Sequence, residues 1–390
     1  MIMRRLVLAA LVAGFASHPA CARTDDEALQ RSFIEGAQLL EAGNAPRAEE
    51  IFRALLKATD SARVKLELAR ALYVQGKYAE SKMLFQEVSM APDTPWRVRD
   101  NITPFVQQIE EKTGYLKFGV TVVSDSNPRN LAAQKEFSIG DLRVTPTEAP
   151  KKVYGLRYSA RGWLPIQDGA AAYLAASYTD YPGADFDRLT TDFGLAKPLT
   201  ESGRLRGKAG VELASFGGKL LYQFPYVGLD AVIAESSSSR LAGELKLGKI
   251  KLPDFGYQDA VFSSGAVSLR YLASESVTAT LRTSIEYSRA SERPYSYYGW
   301  DLGPGVNWFW ASKAYLVGAN ASVGARQYAD VDPIFGKQRS DSKTKLELTL
   351  GNKQWRWRNN YATLVASLEQ NRSNVDFYSY RKANLSVSIE

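Results

Sequence analysis

Histidine and cysteine are nearly absent: the 390 residues hold one of each, His18 and Cys21. Both fall in the opening stretch, where Arg4 and Arg5 precede the apolar run Leu6 to Ala16 and Ala20-Cys21-Ala22 supplies the small residues of a cleavage site. That run is too short to cross a bilayer as a helix, so residues 1–22 read as a secretory signal peptide cut after Ala22. The other reading lipidates Cys21, but His18 and Pro19 stand where that signal wants a branched apolar residue and a small one. Cleavage after Ala22 leaves a chain without thiol or imidazole. Disulfides, Cys/His metal sites, thiol nucleophiles and histidine-based triads or general bases are then excluded. The sequence also lacks a G-x-S-x-G, a Walker loop and a Rossmann fingerprint, and no carboxylate pair is singled out by its spacing. The expectation is no enzyme, no catalytic residue, no metal and no cofactor.

Long hydrophobic runs are missing too. No segment approaches the roughly eighteen apolar residues of a membrane helix, and the mean hydropathy is -0.27. What replaces them is alternation. From Ser276 to Ser288, Val277, Ala279, Leu281, Ile285 and Tyr287 interleave with Thr278, Thr280, Arg282, Ser284, Glu286 and Ser288, a period of two with one oily face. The pattern recurs at Leu116/Phe118/Val120/Val122, Val317/Ala319/Ala321/Val323/Ala325, Leu346/Leu348/Leu350 and Ala383/Leu385/Val387/Ile389. The intervening positions carry Lys117, Arg282, Glu286, Arg326, Lys345 and Glu347, charges that a dry core could not hold unpaired but a watery lumen can. A soluble β-sandwich or propeller is therefore the weaker reading. Aromatics such as Tyr154, Tyr178, Tyr222, Tyr226, Tyr287, Tyr297, Trp308, Trp310, Tyr328 and Tyr380 cluster near strand ends, as interfacial girdles do.

Parity gives fourteen strands, from 115–124 to 378–389, including 341–351 and 355–371 with a turn between them, and a slip in parity near Gly248 to Leu252 that reads as a bulge. An even count returns the chain to the end where it entered. Connections after even strands should be short turns, as Gln167-Asp168-Gly169, Glu201-Ser202-Gly203, Ala273-Ser274-Glu275 and Ala311-Ser312-Lys313 are. Those after odd strands include the long ones, such as Asp125 to Lys151 and Ala329 to Ser340, although Phe216 to Lys219 is short. The fold class is thus all-α helical repeats followed by an all-β transmembrane up-and-down barrel, with residues 23–114 helical and 115–390 the barrel.

In the helical part, Gly43…Ala48-x-x-x-Phe52 and Gly76…Ser81-x-x-x-Phe85 repeat with a shift of 33, and Gly36 and Ala69 fall at the matching small position upstream. That is close to the tetratricopeptide period and predicts two helical hairpins. A further helix, Thr94 to Lys112, opens with Pro95-Trp96 and carries Val98, Ile102, Phe105, Val106 and Ile109 on one stripe; Pro104 predicts a kink or a break. The formal charge of +7 includes Arg4 and Arg5, and residues 23–114 hold 13 basic against 15 acidic residues. The basic excess therefore lies in the barrel, where it suits lumen lining and lipid headgroups; export makes nucleic acid no partner.

The repeats, a joining helix written Val98-Arg99-Asp100-Asn101-Ile102…Phe105-Val106…Ile109, and a first strand ending Ser124-Asp125-Ser126-Asn127 before a long loop resemble the surface lipoprotein assembly modifiers (Slam), the type XI secretion outer-membrane proteins. The resemblance covers nearly the whole chain after residue 22. It implies a fourteen-stranded barrel in the outer membrane of a Gram-negative bacterium, with the helices in the periplasm. It further implies a translocator whose client proteins are surface lipoproteins or soluble carriers such as haemophores, with the barrel-assembly machinery and periplasmic chaperones as further partners. The chain departs from the family in having only about two repeats and in ending on Glu390 after Ile389, where outer-membrane barrels usually end on an aromatic. A polysaccharide exporter and a solute porin are the competing readings. Within the repeats, Arg63, Leu66, Arg70 and Tyr73 are spaced three, four and three along the first helix of the second hairpin, so they form one stripe. Exposed, that stripe has the composition of a client-binding patch; the alternative packs Leu66 and Tyr73 inside the solenoid.

Overall fold

The computed structural model describes residues 22–389 apart from 92–93, 95, 133, 135, 140–141, 147, 237, 275, 311–314 and 358–359. Residues 1–21 of the expected signal peptide, Pro95, Glu275, the turn at residues 311–313 and Glu390 lie outside the described residues. The chain divides into two units, one ending at Thr113 and one beginning at Gly114.

The first unit is five helices: α1 Ala22–Glu41, α2 Ala45–Ala58, α3 Ala62–Val74, α4 Tyr78–Met90 and α5 Trp96–Thr113. The 33-residue shift is visible as repeated geometry. Gly43 and Gly76 take φ of +87° and +76°, and after each the next N–H, of Asn44 or Lys77, reaches back to the carbonyl of Leu39 or Leu72. A residue with a β-carbon resists that left-handed turn, so glycine ends α1 and α3 and releases the chain into α2 and α4. Phe52 and Phe85 are fully buried at equivalent places. Gly36 is small because Phe52 lies across it: a β-carbon there would stand 2.9 Å from the ring. Ala69 fills the same position in the second hairpin, where Ser81 donates to its carbonyl at 2.7 Å. On α5, Ile102 and Ile109 are buried and Val98, Phe105 and Val106 pack against the same core. The helix runs unbroken through Pro104.

The second unit is a barrel built from β1 Tyr115–Asp125, β4 Val153–Pro165, β5 Ala171–Asp180, β6 Arg188–Pro198, β7 Leu205–Phe216, β8 Lys219–Glu235, β9 Ser239–Ile250, β10 Ala260–Leu272, β11 Val277–Ala290, β12 Tyr297–Trp310, β13 Tyr315–Val331, β14 Gln338–Trp357, β15 Asn360–Ser373 and β16 Tyr380–Ile389. Each pairs antiparallel with its neighbours, and β1 pairs with β16 from Val120↔Ile389 to Asp125↔Asn384, which closes the sheet. Closure removes both free edges, the requirement for strands in hydrocarbon. A short hairpin, β2 Phe137–Ile139 with β3 Leu142–Val144, sits in the β1–β4 connection.

Chain entry at Tyr115 and chain exit at Ile389 share one end with the short turns; the longer connections gather at the other. The short connection there is explained: Gly217 and Gly218 both have positive φ, +58° and +75°, and make a two-residue hairpin turn. Two readings need correction. The turn expected between 341–351 and 355–371 is absent, because β14 continues through Gly351 to Trp357 with a register shift between Gly351 and Arg356. The parity slip near Gly248 marks the end of β9, whose pairing with β10 is continuous to Ile250; two register shifts instead fall in β8, at Leu221 against β7 and at Ile233 against β9.

Register fixes the facing of every strand. Phe118, Leu281, Ile285, Leu348 and Leu368 point outward and are exposed, a band of apolar side chains that only hydrocarbon would cover. On that face Trp308 and Trp310 stack near the turn end, while Tyr287 and Tyr298, directly paired, stand toward the loop end. Tyr222, Tyr226, Tyr297, Tyr328 and Tyr380 are not girdle residues. They sit on the inward face of their strands, where their hydroxyls or ring faces meet charged groups.

Candidate functional site: a charged lumen and a helical stripe

Inward positions carry the charges that the alternation assigned to water. Arg282 and Lys343 point inward yet have side chains 59% and 49% exposed, so the lumen has room for solvent. A belt of contacts ties β5 to β11 along the wall. Tyr173 on β5 lies over Gly194 and Gly210 of β6 and β7; a β-carbon on Gly210 would stand 2.2 Å from its hydroxyl. That hydroxyl is 2.7 Å from the Tyr226 hydroxyl on β8, which is 2.7 Å from Asp192 on β6. A carboxylate can only accept, so Tyr226 donates to Asp192 and accepts from Tyr173. Lys246 on β9 stands 3.3 Å from Asp192, 3.6 Å from Glu212 and 4.0 Å from Glu244, with its ammonium over the Tyr226 ring, and Arg282 on β11 continues from Glu244 at 3.8 Å. On the opposite wall Glu369 meets Lys343, Lys382 and the Tyr380 hydroxyl, and Lys345 meets Glu347. At the loop end Arg339 holds Asp341 through two nitrogens and stacks on Tyr328 and Tyr378. These contacts compensate charge and brace the wall. They arrange no nucleophile beside a base, and no cluster that could hold a metal occurs among the described residues.

The helical stripe is placed as follows. Arg63 is exposed, its guanidinium 4.3 Å over the Phe33 ring of α1. Leu66 is half-buried against the core of the helical unit. Arg70 donates to Glu67 at 2.7 Å. Tyr73 packs against Tyr78 and Phe105 and donates to Gln108 of α5 at 2.6 Å. All four share one face of α3, and Arg70 is held by Glu67 rather than left to solvent. Glu67 is buried, which pushes its carboxyl up against the opposing pull of Arg70. Burial likewise raises the Tyr73 hydroxyl, and Lys112, hydrogen-bonded to the Tyr78 hydroxyl, is held charged beside it. The spacing missed Phe33, Gln108 and Lys112, which extend the stripe from α1 to α5. No local pattern announces them, since they come from other helices.

A second polar center joins the two hairpins. Glu49 on α2 is buried, yet it accepts from Lys77, Arg53 and Gln75. Burial works against its charge, but these three donors hold its carboxyl down at about 2. Arg53 also reaches Glu80 of α4.

A model of the protein family described as "Protein of unknown function (DUF2860)" matches residues 262–390, the last third of the chain. No curated protein matches. Among solved structures, the chain is similar to an anion-selective porin from Comamonas acidovorans, at 10% identity and a TM-score of 0.39 over 71% of this chain and 98% of that one. It is similar to OmpT, an outer membrane protein of Vibrio cholerae, in a loop-deleted form, at 10% identity and a TM-score of 0.37 over 71% and 99%. It is also similar to a bacterial polysaccharide outer membrane secretin, at 10% identity and a TM-score of 0.32 over 70% and 98%.

Proposed function

We propose that the protein is an outer-membrane translocator: its barrel spans the bilayer, its helical unit works in the periplasm, and the two together move a client protein to or across the membrane. The client is a lipoprotein or a soluble secreted carrier, with the α3 stripe of Arg63, Leu66, Arg70 and Tyr73 as its first contact. The observation that supports this most is the covalent order. The helical unit, with its own hydrophobic core, feeds through Gly114 into the strand that opens the barrel at its turn end. Turn ends of outer-membrane barrels face the periplasm, where an exported client arrives. A solute porin accounts for the watered lumen but leaves the helical unit without work, and a polysaccharide exporter needs the same two parts with a carbohydrate in place of the client. Barrel-assembly machinery and chaperones are the natural further partners.

Deletion of the protein followed by proteomics of the cell surface and medium tests the reading: one or a few proteins should vanish from those fractions and accumulate in the periplasm. Unchanged protein profiles with altered surface polysaccharide would refute it. Within the stripe, Arg63→Glu should lower client display at normal barrel abundance, because Arg63 is exposed. Arg70→Glu should instead cost stability, about 1–3 kcal/mol, by setting a second carboxylate against the buried Glu67. Normal display in Arg63→Glu would remove the stripe from the mechanism.

A further inference from the structure

Ion pairs match many of the inward charges of the barrel, but among the described residues none reaches the arginines of one wall. The inward face of β5, from Ala171 to Thr179, carries no charged residue, and that of β4 carries Arg157 and Arg161 with no acid. On β1 the only inward acid is Asp125, at the loop end. Both arginines are exposed to the lumen, and neither has a carboxylate within ion-pair distance among the described residues; Arg157 donates only to the Thr179 hydroxyl, at 3.2 Å. The register row through Arg157 runs Ser388, Thr121, Arg157, Thr179, Arg188, without an acid. The row through Arg161 begins with Lys117, directly opposite it on β1, and meets its first acid two strands away at Asp192, about 10 Å in strand spacing. That carboxylate is already engaged by Tyr226 and Lys246. Like charges directly opposite each other weaken a sheet, so setting Arg161 across from Lys117 costs the fold something.

We propose that the lumen wall of β1, β4 and β5 is an anion-binding track, with the guanidinium groups of Arg157 and Arg161 as its uncompensated charges. It makes the lumen pass small anions in preference to cations, whatever larger cargo uses it. The opposite wall, where Lys343 and Lys345 are matched by Glu369 and Glu347, does not share the role. A unit charge about 5 Å from an ion's path in water changes its occupancy by a factor of roughly four before screening. Screening confines the effect to about 10 Å at 0.1 M salt and about 3 Å at 1 M.

The test is the reversal potential of the full-length protein in planar lipid bilayers under a potassium chloride gradient. The wild type should favour chloride, more strongly in dilute than in concentrated salt. The double variant Arg157→Glu/Arg161→Glu should shift the permeability ratio several-fold toward potassium. Lys343→Glu/Lys345→Glu, an equal change of charge on the other wall, should shift it less. Heat-modifiable migration verifies that each barrel is assembled, and Arg157→Gln/Arg161→Gln gives a milder shift of the same sign should the reversed variant fail to insert. Cation preference or no conductance in the wild type would overturn the proposal. Equal shifts from the two walls would also overturn it, since net charge alone would then set the selectivity.

Discussion

Replacing Leu281 with arginine tests the facing of the barrel at its most informative point. Leu281 lies outward on β11, 40% exposed, paired with Leu269 on β10 and Pro304 on β12. On the same face Val277 pairs with Trp308 and Tyr287 with Tyr298, so the two aromatic levels are ten residues apart along the strand. At about 3.4 Å per residue and a tilt of about 40°, that is ~26 Å, the height of an outer-membrane hydrocarbon band. Leu281 is near its middle. An arginine there costs about 2–4 kcal/mol, a roughly 30- to 700-fold change in the folding equilibrium. Its neighbour Thr280 faces the lumen, opposite Arg270 and Gly305. Thr280→Arg adds a cation to water already shared by charged groups, and its one expense is the like charge of Arg270, about 0.2–1 kcal/mol. Urea titration of folding into phospholipid vesicles, read by heat-modifiable migration, separates the two. Leu281→Arg should fold only at much lower urea, and Thr280→Arg nearly as the wild type does. Equal midpoints, or the reverse order, would show that the inward and outward faces have been exchanged.

Two further outcomes concern the helical unit. The Glu49 carboxyl is held at about 2 against an ordinary 4.5, so its contribution is complete above about 4.5 and lost as the pH falls toward 2. The helical CD signal of the full chain should therefore melt earlier across that window, by the equivalent of about 1–3 kcal/mol after allowance for screening, and Glu49→Gln should flatten the dependence. Gly36→Ala should cost about 1–3 kcal/mol in the same melt, because its β-carbon meets the fully buried Phe52 ring at 2.9 Å and Ile51 at 3.3 Å; a melt unchanged from the wild type would show that the ring can move.

Much of this architecture is written locally. A period of two makes a strand wherever it is found, and its phase says which residues share a face, so the ends of the barrel strands were legible to within about three residues except around Gly351, whereas β2 and β3, three residues each, are too short to show a period. There the run Gly351-Asn352-Lys353 has turn chemistry, but β13 still offers Leu316 and Tyr315 as partners for Gly351 and Asn352, and pairing with β15 at Arg356 and Trp357 carries β14 onward. The helical hairpins were legible for a similar reason: a left-handed glycine and a small residue facing an aromatic are requirements of the backbone itself. Tyr222 and Tyr226 were grouped with the interfacial aromatics because proximity to a strand end is visible in sequence, whereas the inward phase that sets their role depends on a β8 with two register shifts.

The sequence by itself determined strand and helix periods, the glycine-ended hairpins and the presence of charges on one face of the barrel strands, since each depends on residues within a few positions of one another. Tertiary structure alone decided the closure of Val120 on Ile389, the chain of Tyr173, Tyr226, Asp192 and Lys246, and the separation of Arg157 and Arg161 from every acid among the described residues. These join or separate residues far apart in the chain. Which of them meet is fixed by the order and stagger of fourteen strands, a quantity that no single strand carries.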